Sequence, residues 1–378
     1  MESSVNDPLI KGVVRESIRQ WKADIEHEDS TAVTLKNYSK YIRRKWIFIG
    51  LCLAATIFVS GFSLSVGEYD IGFWETYQIL IDNIFGNPEW TLKGFIVMEL
   101  RLPRLLTAIL AGVGLAVAGV AMQSTLLNPL ADPYTTGVSS GAMFGATLAM
   151  ILGISVIGGA KYGMVVNAFI FSLIPMFVII SVSKLKSASV TTIIMAGIAV
   201  MYLFNAVTSL MKIWAENAAL AAVFEWSVGD LTGLKWEEVV VMAIVVIPGT
   251  IILYLMAEKL NAMTMGDEQA KTLGINVERF RIASLLVTSL VTAAVVCFTG
   301  LIGFIGLVCP HIVRMFIGSD NRLLLPASAA FGAAFLIVCD VLGRVILAPT
   351  TLQVGIITAF IGGPMFLYLI IKQRRTGW

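Results

Sequence analysis

Charge is what this chain has least of. Asp, Glu, Lys and Arg make up 14% of its 378 residues, against 57% hydrophobic ones. That balance is too apolar for an ordinary soluble domain. Histidine is almost absent too. His27 and His311 stand far apart and make no metal centre between them, and His311, beside Pro310, is expected to act as a structural hydrogen-bonder. The four cysteines (Cys52, Cys297, Cys309, Cys339) sit in or at the ends of apolar runs, with neither metal-ligand spacing nor a disulfide framework. They are expected to be small buried hydrophobes. No G-x-x-x-x-G-K-[ST] phosphate loop occurs, so the chain is not expected to hydrolyse ATP. No nucleophile and base cluster, so an intramembrane enzyme is not indicated and no catalytic residue or metal ligand is named. The first 45 residues lack a basic stretch leading into a short apolar core, and no cleavable signal peptide is expected. A net charge of +2 does not point to nucleic acid, which is not an expected partner.

What is abundant is long uncharged runs. They cover Trp46–Val66, Leu105–Leu127, Gly137–Ala160, Tyr162–Ser183, Ser187–Met211 and Val239–Ala257, between 19 and 25 residues each. About 20 apolar residues cross a bilayer as a helix, and lipid offers the backbone no water. The fold class is therefore an all-α polytopic membrane protein. Ile282–Val313 is uncharged for 32 residues, with Gly300, Gly303, Gly306 and Pro310 inside it. It reads as a span, a break and a short second helix. The last region reads as two further spans, broken near "APTTLQVG". With ten spans and the N-terminus inside, twenty of the 27 basic residues fall on the inner side and seven on the outer. Joining Ile282–Val313 into one span would reduce that contrast to 16 against 11. The positive-inside rule favours ten spans with both termini cytoplasmic. The expected organisation is an N-terminal extension at 1–45, a ten-helix domain at 46–371 with an inner loop at 258–281, and a short tail at 372–378.

One stretch interrupts the apolar pattern. "NPLADPYTTGVSSGA", Asn128–Ala142, carries two prolines and a run of small polar residues. Pro129 and Pro133 end the second span, and Gly137 to Gly141 begin the third. Gly141 and Gly145 form a small-xxx-small pair suited to close helix contact.

Here the residues resemble a known family. "RLPRLLTAILAGVGLAVAGVAMQSTLLNPLADPYTTGVSSGA" is similar to the signature of FecCD-type permeases, the membrane subunits of type II ABC importers for siderophores, haem and cobalamin. "GDEQAKTLGINVERFR", "GLIGFIGLVCPHIVRMFIGSDNRLLLP", "FGAAFLIVCDVLGRV" and "GIITAFIGGPMFLYLI" continue the match in order, and "EWSVGDLTGLKW" fits more loosely. The resemblance implies a ten-helix subunit in the cell membrane that pairs with a second copy of itself. Two ATPase subunits would bind ATP and Mg on the cytoplasmic side, and a substrate-binding protein would dock outside. It implies no cofactor in this chain.

The resemblance also distributes roles. Gly266, Asp267, Glu268, Ala270, Leu273 and Gly274 match the coupling loop that enters a cleft on the ATPase, and Gly266 and Gly274 suit the ends of a short helix. Arg101, Arg104 and Arg344 match positions that meet carboxylates of the binding protein. Asn128 and Leu130 match a cytoplasmic gate, with Ser189 and Thr191 the candidates for its second element. Met195, Met201, Phe204 and Asn205 are path candidates by membership of the fifth span. Two departures stand out. Thr351 and Gln353 replace an acid and a proline of the family's outer turn, and "VVRESIRQWKADIEHE" in the extension has no counterpart. That segment is expected to lie on the inner membrane face or touch the ATPase, if it is ordered at all. The expected cargo is a large chelate of the iron–siderophore type, with haem or cobalamin as alternatives. An ion-coupled secondary transporter is the competing class. Such carriers usually keep ionisable residues within the membrane, and Asp340 is the one candidate inside an expected span.

Overall fold

A computed structural model describes residues 42–86, 91–185 and 190–373, together with Glu16 and Arg19. The expectations for the N-terminal extension up to residue 41, His27, Ser189 and the last five residues lie outside the described residues. The chain divides into two compact units, Met1–Phe48 and Ile49–Trp378. In the first, residues 42–48 are helical.

Every element among the described residues is helical. In chain order they are α1 (Ile42–Ser65), α2 (Phe73–Phe85), α3 (Leu92–Thr125), α4 (Val138–Leu152), α5 (Ala160–Leu185), α6 (Val190–Ile213) and α7 (Asn217–Val228). Then follow α8 (Trp236–Leu255), α9 (Ala257–Thr264), α10 (Asp267–Thr272), α11 (Val277–Thr299), α12 (Ile305–Ile317), α13 (Asn321–Val345) and α14 (Val354–Gln373). Among the described residues, seven helices are long and apolar enough to cross a membrane: α1, α3, α5, α6, α8, α11 and α13. Three shorter apolar helices, α4, α12 and α14, accompany them. The chain is an integral membrane protein.

Several boundaries differ from the sequence reading, each for a local reason. The second span starts well before Leu105, because α3 runs unbroken from Leu92. It absorbs Pro103 by opening a π turn over Ile96–Arg101 directly before it, where the proline's missing N–H interrupts the α ladder. Arg101 and Arg104 thus lie inside a helix rather than ahead of one. The third run, Gly137–Ala160, is helical only to Leu152 before α5 begins, because Gly153 turns left-handed (φ 65°). The Asn167 side chain then holds the loop, accepting from Val156 N–H and donating to the Ile154 carbonyl. α1 begins at Ile42, four residues inside the expected extension, and α11 already includes the end of the expected 258–281 loop. The break in Ile282–Val313 falls at Gly300, and α12 starts after Phe304.

α3, α11 and α13 are the most buried spans and carry much of the main core, with Leu105, Leu115, Val291, Val295, Leu336 and Ile337 in contact. Small residues let backbones meet elsewhere too. A Cβ on Gly141 would strike the Phe171 carbonyl of α5, and one on Gly145 the Asn167 carbonyl. α6 is the least buried span, with Met195, Tyr202 and Leu203 all exposed on the single chain.

Candidate functional site

Two polar clusters lie along α3, one around Arg104 within it and one around Thr125 at its C-terminal end. The 21 helical steps from Arg104 to Thr125 span about 32 Å at the α-helical rise, close to the apolar thickness of a bilayer.

In the first cluster Arg104 and Arg344 meet at Asp340 of α13, while Arg101 is engaged at the end of α1. Arg104 Nε and Nη2 each stand 2.8 Å from Asp340 Oδ1, and Arg344 Nη2 is 3.0 Å from Oδ2. Asp340 is 1% exposed, Arg344 9% and Arg104 14%, so two cations share one acid almost out of reach of water. Arg344 also donates to the Ser63 and Val66 carbonyls, and Arg101 to those of Leu64, Ser65 and Tyr69. These guanidiniums satisfy the backbone carbonyls where α1 ends. Arg104 Nη1 further donates to Thr232 Oγ1, which itself donates to Asp230 Oδ1. The loosely matched segment "EWSVGDLTGLKW" therefore belongs to the same cluster. Thr351 and Gln353 sit in the turn between α13 and α14, held back on α13 by Leu352 N–H donating to the Gly343 carbonyl.

At the other end, three consecutive side chains of α3 reach three different elements. Gln123 accepts from Arg314 Nη2 at 2.9 Å and donates to the Gly306 carbonyl, both on α12. Ser124 donates to Asn321 Oδ1 of α13, whose N–H is held by Asn261 of α9. Thr125 and Ser284 of α11 share a hydroxyl contact of 2.7 Å. Beyond Thr125 the chain turns sharply, with Leu127 at φ 49°. Asn128 N–H donates to the Gln123 carbonyl, and its side chain accepts from Leu130 N–H in an Asx turn. Asn128 is thus a turn-former, while Leu130 is exposed. The turn then packs on α6, where Thr135 and Thr136 press against Gly197.

α10 stands next to this end. Gly266 (φ 108°) and Gly274 (φ 79°) bound it, in backbone conformations that disfavour any side chain. Ala270 is fully buried, Leu273 is exposed, and Asp267 Oδ1 accepts from Arg281 Nη2 at 2.6 Å. Glu268 pairs with Lys271 in the open. Of the path candidates on α6, Met195 and Asn205 are exposed and Met201 half-buried. Phe204 packs its ring 5.1 Å from Phe144. Thr191 is exposed at the start of α6.

Residues that the sequence did not single out carry much of this end: Gln123, Thr125, Ser284, Arg281, Arg314, Asn321 and Asn261. Polar residues clustered at the ends of apolar runs were the available signal, but positive-inside counting treats Arg281 as a solvated charge and the structure buries it. His311 Nδ1 is buried and meets no hydrogen-bond partner among the described residues. The four cysteines are buried and free, and no group of three potential metal ligands occurs among the described residues.

Asp132, in the turn, gives a pH prediction. Burial pushes its carboxyl up to about 6, only partly opposed by the hydrogen bond from Tyr134 N–H. A raised acid favours folding fully below its ordinary value near 4, and loses that contribution as pH rises through about 6. About two pKa units correspond to about 3 kcal/mol. Thermal unfolding in detergent should show wild-type stability falling between pH 4 and about 6. Asp132→Asn keeps the acceptor for Tyr134 and should flatten that slope. An identical slope in the variant would place the titration elsewhere.

The model of the FecCD transport family matches residues 53–372. The hemin transport system permease protein HmuU of Yersinia pestis is 35% identical over 87% of this chain and 96% of its own. The cobalamin import system permease protein BtuC of Halobacterium salinarum is 40% identical over 76% of this chain and 75% of its own. A solved transporter described as a metal-chelate type ABC transporter, in an inward-facing conformation, superposes with a TM-score of 0.76 at 27% identity, covering 86% of this chain and 99% of that one. The chain belongs to the FecCD transport family, and is the membrane permease of an ABC transporter with the type II importer fold.

Proposed function

We propose that this chain is the membrane half of a cell-membrane importer that carries a large metal chelate of the iron–siderophore type inward. A second copy completes the path, two ATPase subunits supply the energy, and a binding protein delivers the cargo. The observation that carries the reading is α10. It is a six-residue helix held between two left-handed glycines, with Leu273 exposed and Asp267 tied to the bundle, in a chain with no phosphate loop. Such a projection suits reception of force from another subunit. The bare apolar face of α6 supports pairing across an axis, since Met195, Tyr202 and Leu203 would otherwise face lipid or water. Docking of carboxylates at the opposite end is assigned to Arg101 and Arg104, which are only partly buried. Haem and cobalamin remain the alternative cargoes, because relatives bear those names.

The test is uptake. Proteoliposomes holding the chain with its ATPase subunits and binding protein should accumulate a ferric siderophore when ATP is supplied, and should not on a proton or sodium gradient alone. Accumulation on an ion gradient without nucleotide would overturn the reading. Saturable uptake of haem or cobalamin in preference to the siderophore would move the cargo and leave the mechanism standing.

A further inference from the structure

We propose that Arg281 is the positioning residue through which a displacement of α10 reaches the turn after α3. The inference rests on reading α10 as the ATPase contact.

Arg281 is 3% exposed, at the start of α11. Its Nη2 stands 2.6 Å from Asp267 Oδ1, on the first residue of α10. Its Nε donates to the Thr125 carbonyl at 3.4 Å, a long bond. Ser284, three residues on, adds the 2.7 Å hydroxyl contact with the same threonine. One face of α11 therefore grips the last residue of α3 while its buried cation is neutralised by α10. Moving Asp267 away from Arg281 would strand that cation in a place with little water, which is costly. The pair is therefore expected to move together. The exposed Glu268–Lys271 pair, by contrast, joins two residues of α10 itself.

From Thr125 the contacts continue. Asn128 N–H is bonded to the Gln123 carbonyl, one turn back in α3, so the turn follows the helix end. Thr135 and Thr136 then lie against Gly197, with backbone atoms 3.1 and 3.3 Å from where a Cβ would stand. α10, α11, the end of α3, the turn and α6 thus form one contiguous series. Contiguity alone does not establish coupling, so the experiment must read coupling itself.

The complete complex in proteoliposomes is compared for wild type, Arg281→Lys, Arg281→Gln and Leu273→Glu. Three quantities are measured: co-purification of the ATPase subunits, ATP hydrolysed, and ferric siderophore taken up per ATP. Lysine keeps a charge for Asp267 but lacks the fork that serves Thr125 at the same time. Arg281→Lys should retain the ATPase and hydrolyse within about two-fold of wild type, while cargo per ATP falls about ten-fold, in the range for residues along a coupling route. Arg281→Gln should fall at least as far. Unchanged cargo per ATP in Arg281→Lys overturns the proposal, and so does a parallel loss of assembly, hydrolysis and uptake in both variants. Leu273→Glu separates the two layers. If it leaves ATPase co-purification intact, the reading of α10 fails and the proposal with it. If it abolishes co-purification while Arg281→Lys keeps full cargo per ATP, only the role of Arg281 fails.

Discussion

Asp340→Leu is expected to destabilise the protein by about 3–5 kcal/mol, the cost of removing one partner from a buried ionic cluster. Asp340 is the acid between Arg104 and Arg344, hydrogen-bonded to Arg104 through Oδ1 and at ion-pair distance from Arg344 through Oδ2. Without it two guanidiniums face each other in a site that water barely enters, and both remain tied to α1 or the Thr232 loop. In detergent the apparent melting temperature should drop by roughly 10 °C, given a few degrees per kcal/mol for a chain of this size. Asp340→Asn should behave similarly, because it keeps the shape and loses the charge. Adding Arg344→Met to Asp340→Leu should recover part of the loss, since one stranded cation goes with the acid. If Asp340→Leu unfolds at the wild-type temperature, the cluster is held by something other than its charge.

Gly145→Leu is the second large effect. The Cβ alone would lie inside the contact distance of the Asn167 carbonyl, and backbone cannot rotate away as a side chain can. Forcing α4 off α5 should cost at least the 1–3 kcal/mol typical of overpacking. It should also release the Asn167 side chain that ties Ile154 and Val156 together after α4. Gly141→Leu should act alike, through the Phe171 carbonyl. Gly158→Ala is the control, because a Cβ there meets open space. Monodisperse recovery from detergent should collapse for the first two variants and stay normal for Gly158→Ala. Normal recovery of Gly145→Leu would mean the two helices have room to separate.

Gly141 and Gly145 were legible as a contact pair in the sequence, but their partner helix was not. Spacing on one helix says that something approaches closely, and only the packing says that it is α5. Arg281 shows the opposite limit. It reads as one more inner-side cation, yet it is buried against residues 14 positions away on one side and 156 on the other. The π turn was equally hidden, since Pro103 signals a break and a helix can instead widen by one residue. For the arginines of the Asp340 cluster, the sequence marked Arg104 and Asp340 without showing that they meet across 236 positions.

The sequence by itself determined the class of molecule: long uncharged runs, a break within Ile282–Val313 and another near "APTTLQVG", and the ordered family motifs. Those follow from local composition, because lipid tests each run for apolarity and hydrogen-bond closure one segment at a time. What only the tertiary structure decided is which polar side chains near the helix ends are solvated and which are spent inside. Arg101, Arg104, Arg281 and Arg344 all look alike as letters. Their burial and partners depend on which helix lies alongside, and that is set by contacts between segments far apart in the chain.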